Sequence, residues 1–203
     1  MAFRIEDGTG KGYKVKVDKF NRIHTSAVTE AESDHHASTG DKYNLNTGDI
    51  TLTTGAESAV FYLKNNEDKD IVVTALIYNI GNSVNACCAA VTGQDILVDV
   101  YRNPTAGTVV CCATALSMNA NMNFGSSKTL TIDTYKGAQG KTLTGGTIAI
   151  ASRFNGVGRK VITLGAVAIP KGTSIGVKVT PPTGNASMTI QVAAAVFLQQ
   201  LEA

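Results

Sequence analysis

Residues 187–198 read SMTIQVAAAVFL and carry the clearest periodic pattern in the sequence. The even-numbered positions are apolar from Met188 to Leu198, and polar residues occupy the odd positions as far as Gln191. Because successive side chains of a β-strand point to opposite faces, this pattern predicts a strand with one face in a hydrophobic core. The other face turns apolar at Phe197, so we expect Phe197 and Leu198 to meet another chain.

Similar short runs recur along the chain between turns that contain Gly, Pro or Asn. Residues 59–64 and 71–78 are joined by a polar connection, which predicts a β-hairpin. About ten strands with no intervening helical pattern predict an all-β, antiparallel β-sandwich of jelly-roll-like type. The further predicted strands are residues 13–17, 50–53, 95–101, 116–118, 129–132, 148–151, 161–164, 174–179 and 187–198.

Charge divides the 203-residue chain into two parts. Residues 1–70 contain 12 acidic and 9 basic residues, whereas residues 71–203 contain 4 acidic and 9 basic residues. A surface so poor in charge favours partner chains as its covering, because soluble monomers carry mixed charges that keep them apart. We therefore predict an extended N-terminal arm over residues 1–45 and a sandwich domain over residues 46–203. The arm is interpreted as a short helix, a solvated loop or a segment that docks on a neighbour.

Several classes of protein are disfavoured. No run approaches the roughly 18 consecutive apolar residues of a membrane helix, and no apolar secretory core follows the first residues. Cytoplasmic production is therefore expected. We expect basic residues to line one end of the sandwich, but aromatic residues do not alternate with them, which disfavours nucleic-acid binding. These residues are Arg153, Arg159, Lys160, Lys171 and Lys178.

The most metal-like cluster contains Asp34, His35 and His36, close to Glu32 and Asp41. Carboxylates and imidazoles bind zinc and similar ions. Adjacent histidines of an extended chain point to opposite faces, however, so a polar exposed or interface loop is the favoured interpretation. No paired carboxylates, catalytic triad or activated cysteine can be assembled, and we predict neither a cofactor nor an enzymatic activity.

The four cysteines form two adjacent pairs, Cys87-Cys88 and Cys111-Cys112. Reduced, buried thiols that pack as small hydrophobic residues are the favoured interpretation in a cytoplasmic protein. One or two disulfide bonds between the two segments are an alternative. Zinc is disfavoured because paired ligands of a structural site are normally separated by two or more residues.

Five runs of the sequence resemble structural proteins of tailed bacteriophage particles. The similarity extends from about Val17 to Val196 and consists of strand and turn patterns. It implies a virion component that is assembled in the host cytoplasm. The runs are residues 43–53, 59–70, 102–108, 123–127 and 164–174.

Together with the charge-poor body, this resemblance predicts a head decoration or cement protein that binds the outside of the capsid and stabilises it. We expect a homo-oligomer, with a trimer favoured, and the major capsid protein or another virion protein as partner. A tail, neck, vertex or fibre-associated virion protein is the alternative in the same class. A carbohydrate-binding module is a third interpretation, which the absence of Trp disfavours.

Overall fold

The computed structural model of the chain describes residues 32–53, 55–82, 95–109, 114–116, 120–183 and 187–199. Residues 33–203 form one compact unit. Among the described residues, no helix has the length and apolar character needed to cross a membrane.

The described chain forms one helix and eleven strands. Their bounds are α1 Glu32–Thr39, β1 Lys42–Asn46, β2 Ile50–Thr53, β3 Ser58–Asn65, β4 Ile71–Asn82, β5 Asp95–Arg102, β6 Thr114–Ala115, β7 Ile132–Lys136, β8 Thr147–Asn155, β9 Gly158–Ile169, β10 Ser174–Thr180 and β11 Ser187–Leu198.

The strands pair into two antiparallel sheets. The five-stranded sheet has the order β1-β11-β4-β9, with β2 also paired to β11, and the six-stranded sheet has the order β6-β7-β3-β10-β5-β8. The predicted all-β sandwich is thereby confirmed. Its jelly-roll-like character stays a prediction.

The core lies between the two sheets. As the alternation predicts, Met188 and the five even-numbered residues that follow it in β11 are all buried. They join buried side chains from the six-stranded sheet, such as Phe61 and Val177, in one hydrophobic cluster. Each fully buried aliphatic or Phe side chain contributes roughly 1.5–3 kcal/mol to folding through its removal from water. The long, alternating strand β11 therefore holds the centre of the five-stranded sheet.

The predicted hairpin of residues 59–64 and 71–78 is wrong. β3 pairs with β7 and β10 in the six-stranded sheet, whereas β4 pairs with β9 and β11 in the other sheet. The fully buried Asn65 holds the crossing, because its side-chain amide donates to the carbonyls of Lys69 at 2.8 Å and Ile169 at 2.7 Å. Its Oδ1 accepts from the Glu67 amide at 2.7 Å. This buried network turns the chain from one sheet into the other.

The predicted arm of residues 1–45 includes structure that belongs to the sandwich. β1 pairs with β11, and α1 lies immediately before it. The helix ends at Thr39, and Gly40 follows it with a φ of 75°, a left-handed conformation that glycine adopts at little cost. The Asp41 amide donates to the His36 carbonyl at 2.7 Å and closes the last turn in a Schellman motif. Of the three interpretations of the arm, a short helix is the one observed for residues 32–39. The predicted strand at residues 13–17 lies outside the described residues.

Most other predicted strands are observed, some with shifted ends. Of the predicted strand 116–118, Leu116 follows β6 and is not part of a strand, and residues 117 and 118 lie outside the described residues. The main difference is β7, which was expected at residues 129–132 and is observed at Ile132–Lys136. Leu130 is buried without being part of a strand. The apolar pattern therefore begins before the hydrogen-bonded strand β7 does, which explains why the sequence predicts this strand too early.

Candidate association surface

Large, exposed apolar side chains occur in two places in the described part of the chain. The first is the loop before β7, where Met122 is exposed and Phe124 has 94% of its surface exposed. The second comprises β8, β9 and the turn between them. Its exposed members are Ile148, Val157, Val161 and Val167. Exposed apolar side chains that gather on neighbouring segments are candidates for interaction sites in soluble proteins.

β8 and β9 are the outermost strands on one side of the sandwich, and together they are called the open edge. Only residues 156 and 157 separate them, yet β8 pairs with β5 in one sheet and β9 pairs with β4 in the other. No described strand pairs with the outer side of either one. An unpaired strand edge presents backbone donors and acceptors that another chain can bind.

The open edge has few of the charges that normally protect an edge strand. Its charged residues are Arg153, Arg159 and Lys160, all close to the β8–β9 turn. Residues 147–152 and 161–169 contain no charged side chain. Each strand has a register irregularity, opposite Val100 and Tyr101 in β8 and opposite Val73 to Ala75 in β9. Charge, a further means by which soluble proteins protect long edges, is absent from these two stretches, which makes the open edge a candidate association surface.

An apolar cleft of about 360 Å³ opens between the two sheets at the open edge. Ile150 of β8 and Leu164 of β9 line it and are both half-buried. Val100, Val167, Ile169 and Ile175 complete the apolar wall, and polar residues including Arg102, Asn103 and Ser174 also line the cleft. The volume lies within the range of sites that take a small apolar group.

The loop of residues 120–128, called the Phe124 loop, is fixed by polar contacts. The buried Asn121 donates from its side-chain amide to the Gly40 carbonyl at 2.8 Å and accepts from the Asn123 amide at 2.8 Å. Asn123 in turn donates to the Ser38 carbonyl at 2.9 Å and accepts from the Gly125 amide at 3.1 Å. These bonds hold Phe124 outward on a fixed backbone.

The loop is also tied to β1 and α1. The Met122 amide donates to the Lys42 carbonyl at 2.8 Å, and the Asn44 amide donates to the Ala120 carbonyl at 2.9 Å. The Lys128 ammonium binds the Thr39 carbonyl at 2.8 Å and the Asp41 carboxylate at 2.9 Å. Gly40 faces Ser126 so closely that a Cβ there would lie 2.5 Å from the serine Oγ. Only glycine fits this approach.

The residues predicted as metal ligands lie on α1, where one of them packs against β11. The His36 ring stacks on Phe197 with 4.4 Å between ring centroids, and His35 meets His36 edge-on at 6.0 Å. Asp34 is exposed. Among the described residues, no group of three or more His, Cys, Asp or Glu side chains is suited to hold a metal ion.

The same packing corrects the expectation for Phe197 and Leu198. They are 6% and 9% exposed, respectively, so neither presents the apolar face that was predicted at the end of β11. α1 covers Phe197 from within the chain. Because α1 is short and polar, its sequence does not indicate that it covers this face of β11.

Three of the five basic residues, Arg153, Arg159 and Lys160, lie close to the β8–β9 turn, but the five do not all gather at one end of the sandwich. Arg159 is near the start of β9, and Lys171 follows its other end. Lys171 binds the Asp68 carboxylate, which lowers the pKa of Asp68 through the hydrogen bond and the ammonium charge. Arg153 pairs with Asp95 at 3.4 Å. The predicted basic rim is therefore incomplete, because Lys171 lies at the other end of β9 and Arg153 and Lys171 are held in separate ion pairs.

Tyr101, which lines the cleft, makes a cation–π contact with Lys178. The Lys178 ammonium lies 4.5 Å from the centre of its ring and 2.9 Å from the Glu57 carboxylate. Burial, the largest single influence, lowers the pKa of Lys178, but the bond and charge of Glu57 and the contact with Tyr101 raise it overall. Tyr43, Tyr62 and Tyr78 are buried. None of these four rings is a bare platform for stacking a sugar.

The four cysteines, Cys87, Cys88, Cys111 and Cys112, lie outside the described residues.

No protein-family model matches the chain, and a search of curated proteins finds no match.

Sequence reasoning missed both the open edge and the Phe124 loop as candidate sites. The signal for the open edge was present: residues 161–169 have only one hydroxyl side chain, Thr163, among apolar and glycine residues. A solvated outer face needs more polar positions than this. The exposure of Phe124 had no local signal, because it depends on Asn121 reaching Gly40, which is distant in sequence.

Proposed function

We propose that this chain is a structural protein of a tailed-phage virion, a head decoration protein that self-associates and binds the outside of the capsid. The observation that carries the proposal is the open edge, two long strands whose outer sides have no described partner strand, with uncharged stretches and exposed Ile148 and Val161. A surface of this kind suits permanent association, because obligate interfaces are more apolar than the remaining protein surface.

Two further features support the proposal. The sequence resembles virion structural proteins over most of its length, and the sandwich supplies a rigid body of the size that a capsid can carry in many copies. Repeated copies strengthen weak individual contacts, because each bound module raises the effective concentration of the next. The described body provides self-association, and the proposal assigns contact with the capsid to residues 1–31. No catalytic chemistry is assigned.

The first experiment measures self-association of the full chain by size-exclusion chromatography with light scattering. We expect an oligomer, with a trimer favoured, and substitution Ile148→Lys should shift it towards monomer by placing a charge in an apolar interface. Thr51→Lys is the matched control, since Thr51 is exposed on β2, away from the open edge. It should leave the oligomer unchanged.

The second experiment locates the copies by electron cryo-microscopy of particles of the encoding phage, with co-sedimentation of added protein to count them. Density on the capsid exterior at a fixed number per capsomer is expected. Density confined to the tail, neck or a fibre would replace head decoration with the other virion role. A monomeric chain that does not sediment with particles would overturn the proposal.

A further inference from the structure

The Phe124 loop and the open edge lie on opposite sides of the sandwich. Asn121 pairs with Tyr43 of β1, which is an outer strand of the five-stranded sheet, and the loop leads into β7 near the β6 end of the six-stranded sheet. β9 and β8 end the two sheets on the other side. A contact between these two surfaces therefore joins two copies of the chain and cannot form within one copy.

The Phe124 loop has the properties of an interface anchor. An aromatic ring that is 94% exposed leaves a large apolar area in water. The hydrogen bonds of Asn121 and Asn123 fix its backbone before any contact is made, so little conformational entropy is lost on binding. Preorganised aromatic anchors of this kind dominate binding energy at protein interfaces.

The cleft matches this anchor in size and polarity. Its volume of about 360 Å³ exceeds what one phenyl ring occupies, and aliphatic side chains such as Ile150, Leu164 and Ile175 line it. Residues 120–127 contain no charged side chain. Insertion of Phe124 therefore buries no charge from residues 120–127, and Lys128 at the end of the loop is paired with Asp41. Desolvation of an unpaired charge would oppose binding.

We propose that Phe124 of one copy inserts into the cleft at the open edge of the next copy. The inference rests on the self-association in the proposed function and names the contact that produces it. Different surfaces meet in this contact, so it is heterologous, and each copy offers one anchor and one cleft. Closure of such head-to-tail contacts generates a ring, and three copies are the number favoured for this chain.

Two single substitutions separate the anchor from the cleft. Phe124→Ala removes the anchor and leaves the cleft, and Ala149→Trp fills the cleft, which Ala149 lines, and leaves the anchor. Both positions are exposed, so both variants should keep the circular dichroism spectrum and unfolding midpoint of the parent chain. Loss of a dominant anchor should weaken association at least about 30-fold. Thr129→Ala, at an exposed position just outside the loop, is the control and should keep the parent oligomer.

The decisive measurement is the mass of an equimolar mixture of the two variants in light scattering. Each variant alone should be monomeric, and the mixture should form a 1:1 heterodimer, because one intact anchor meets one intact cleft and neither end can extend further. A Phe124→Ala chain that keeps the parent oligomer, or a mixture that stays monomeric, would overturn this contact while leaving self-association in place. A parent chain that is itself monomeric would overturn both proposals.

Discussion

The two sides of this sandwich differ in how their outermost strands are covered. On the side of β1, called the closed edge, α1 and the Phe124 loop cover the strand through side-chain contacts that are distant in sequence. On the side of β8 and β9, no described segment covers the strands, and an apolar cleft leads towards the core. One edge of the fold is therefore covered from within the chain, and the other is not covered by any described segment.

This difference predicts where the free energy of unfolding of a single chain resides. The apolar side chains of β1 at the closed edge, Tyr43 and Leu45, are sealed from water, whereas Ile148 and Val161 at the open edge keep about half of their surface exposed. Substitutions at the closed edge should therefore lower the stability of the monomer. Those at the open edge should act mainly on association.

The largest contrast is expected between two leucines. Leu45 of β1 is fully buried, and Leu45→Ala should cost about 2–5 kcal/mol, the range for buried leucines that leave a cavity. Leu164→Ala, at the half-buried wall of the cleft, should cost about 1 kcal/mol or less. Denaturant unfolding at a protein concentration low enough to keep the chain monomeric measures both. Equal losses would show that the two edges are equally sealed.

A smaller effect should follow loss of the polar contacts that fix the closed edge. Asn121→Ala removes the donor to the Gly40 carbonyl and the acceptor for the Asn123 amide. Because these groups are left without their partner, we expect a loss of about 1–3 kcal/mol in unfolding free energy. The exposed Asn155 at the end of β8 is the matched control, and Asn155→Ala should change stability by less than about 0.5 kcal/mol. A loss no greater than that of the control would mean that the loop does not depend on Asn121.

Residue patterns predicted the sandwich because period-two alternation reports which side chains face a core. β11 illustrates this, since its even positions from Met188 are all buried. Alternation does not report which sheet a strand joins, and for this reason the predicted hairpin of residues 59–64 and 71–78 is wrong. Asn65 turns the chain across the sandwich through a bond to Ile169, a residue far along the sequence.

The candidate sites were less predictable for the same reason. Phe197 carries an apolar face that the strand pattern indicates, but its covering by His36 depends on a short polar helix. Phe124 resembles any aromatic residue in a turn until Asn121 and Gly40 fix its loop. Exposure and covering are set by contacts distant in sequence, and local patterns carry no information about them.

The smallest effect at neutral pH concerns Tyr78 of β4, whose ring lies 5.6 Å from that of Phe154 beneath the open edge. Its hydroxyl is fully buried and has no hydrogen-bond partner among the described residues. Tyr78→Phe should therefore be neutral or raise stability by up to about 1 kcal/mol.

At alkaline pH, Tyr78→Phe also tests whether water reaches the Tyr78 ring through the open edge. Burial raises the pKa of Tyr78 well above its ordinary value of 10.0. As the pH rises, the Tyr78 hydroxyl therefore loses its proton in the unfolded chain before it does so in the folded chain. The stability contributed by the neutral phenol is complete below pH 10 and declines as the pH rises above 10. In Tyr78→Phe, the decline in unfolding free energy above pH 10 should be smaller by up to about 1.4 kcal/mol per pH unit, the value for one proton. If water reaches the ring through the open edge, the folded and unfolded pKa values coincide, and parent and variant should decline in parallel.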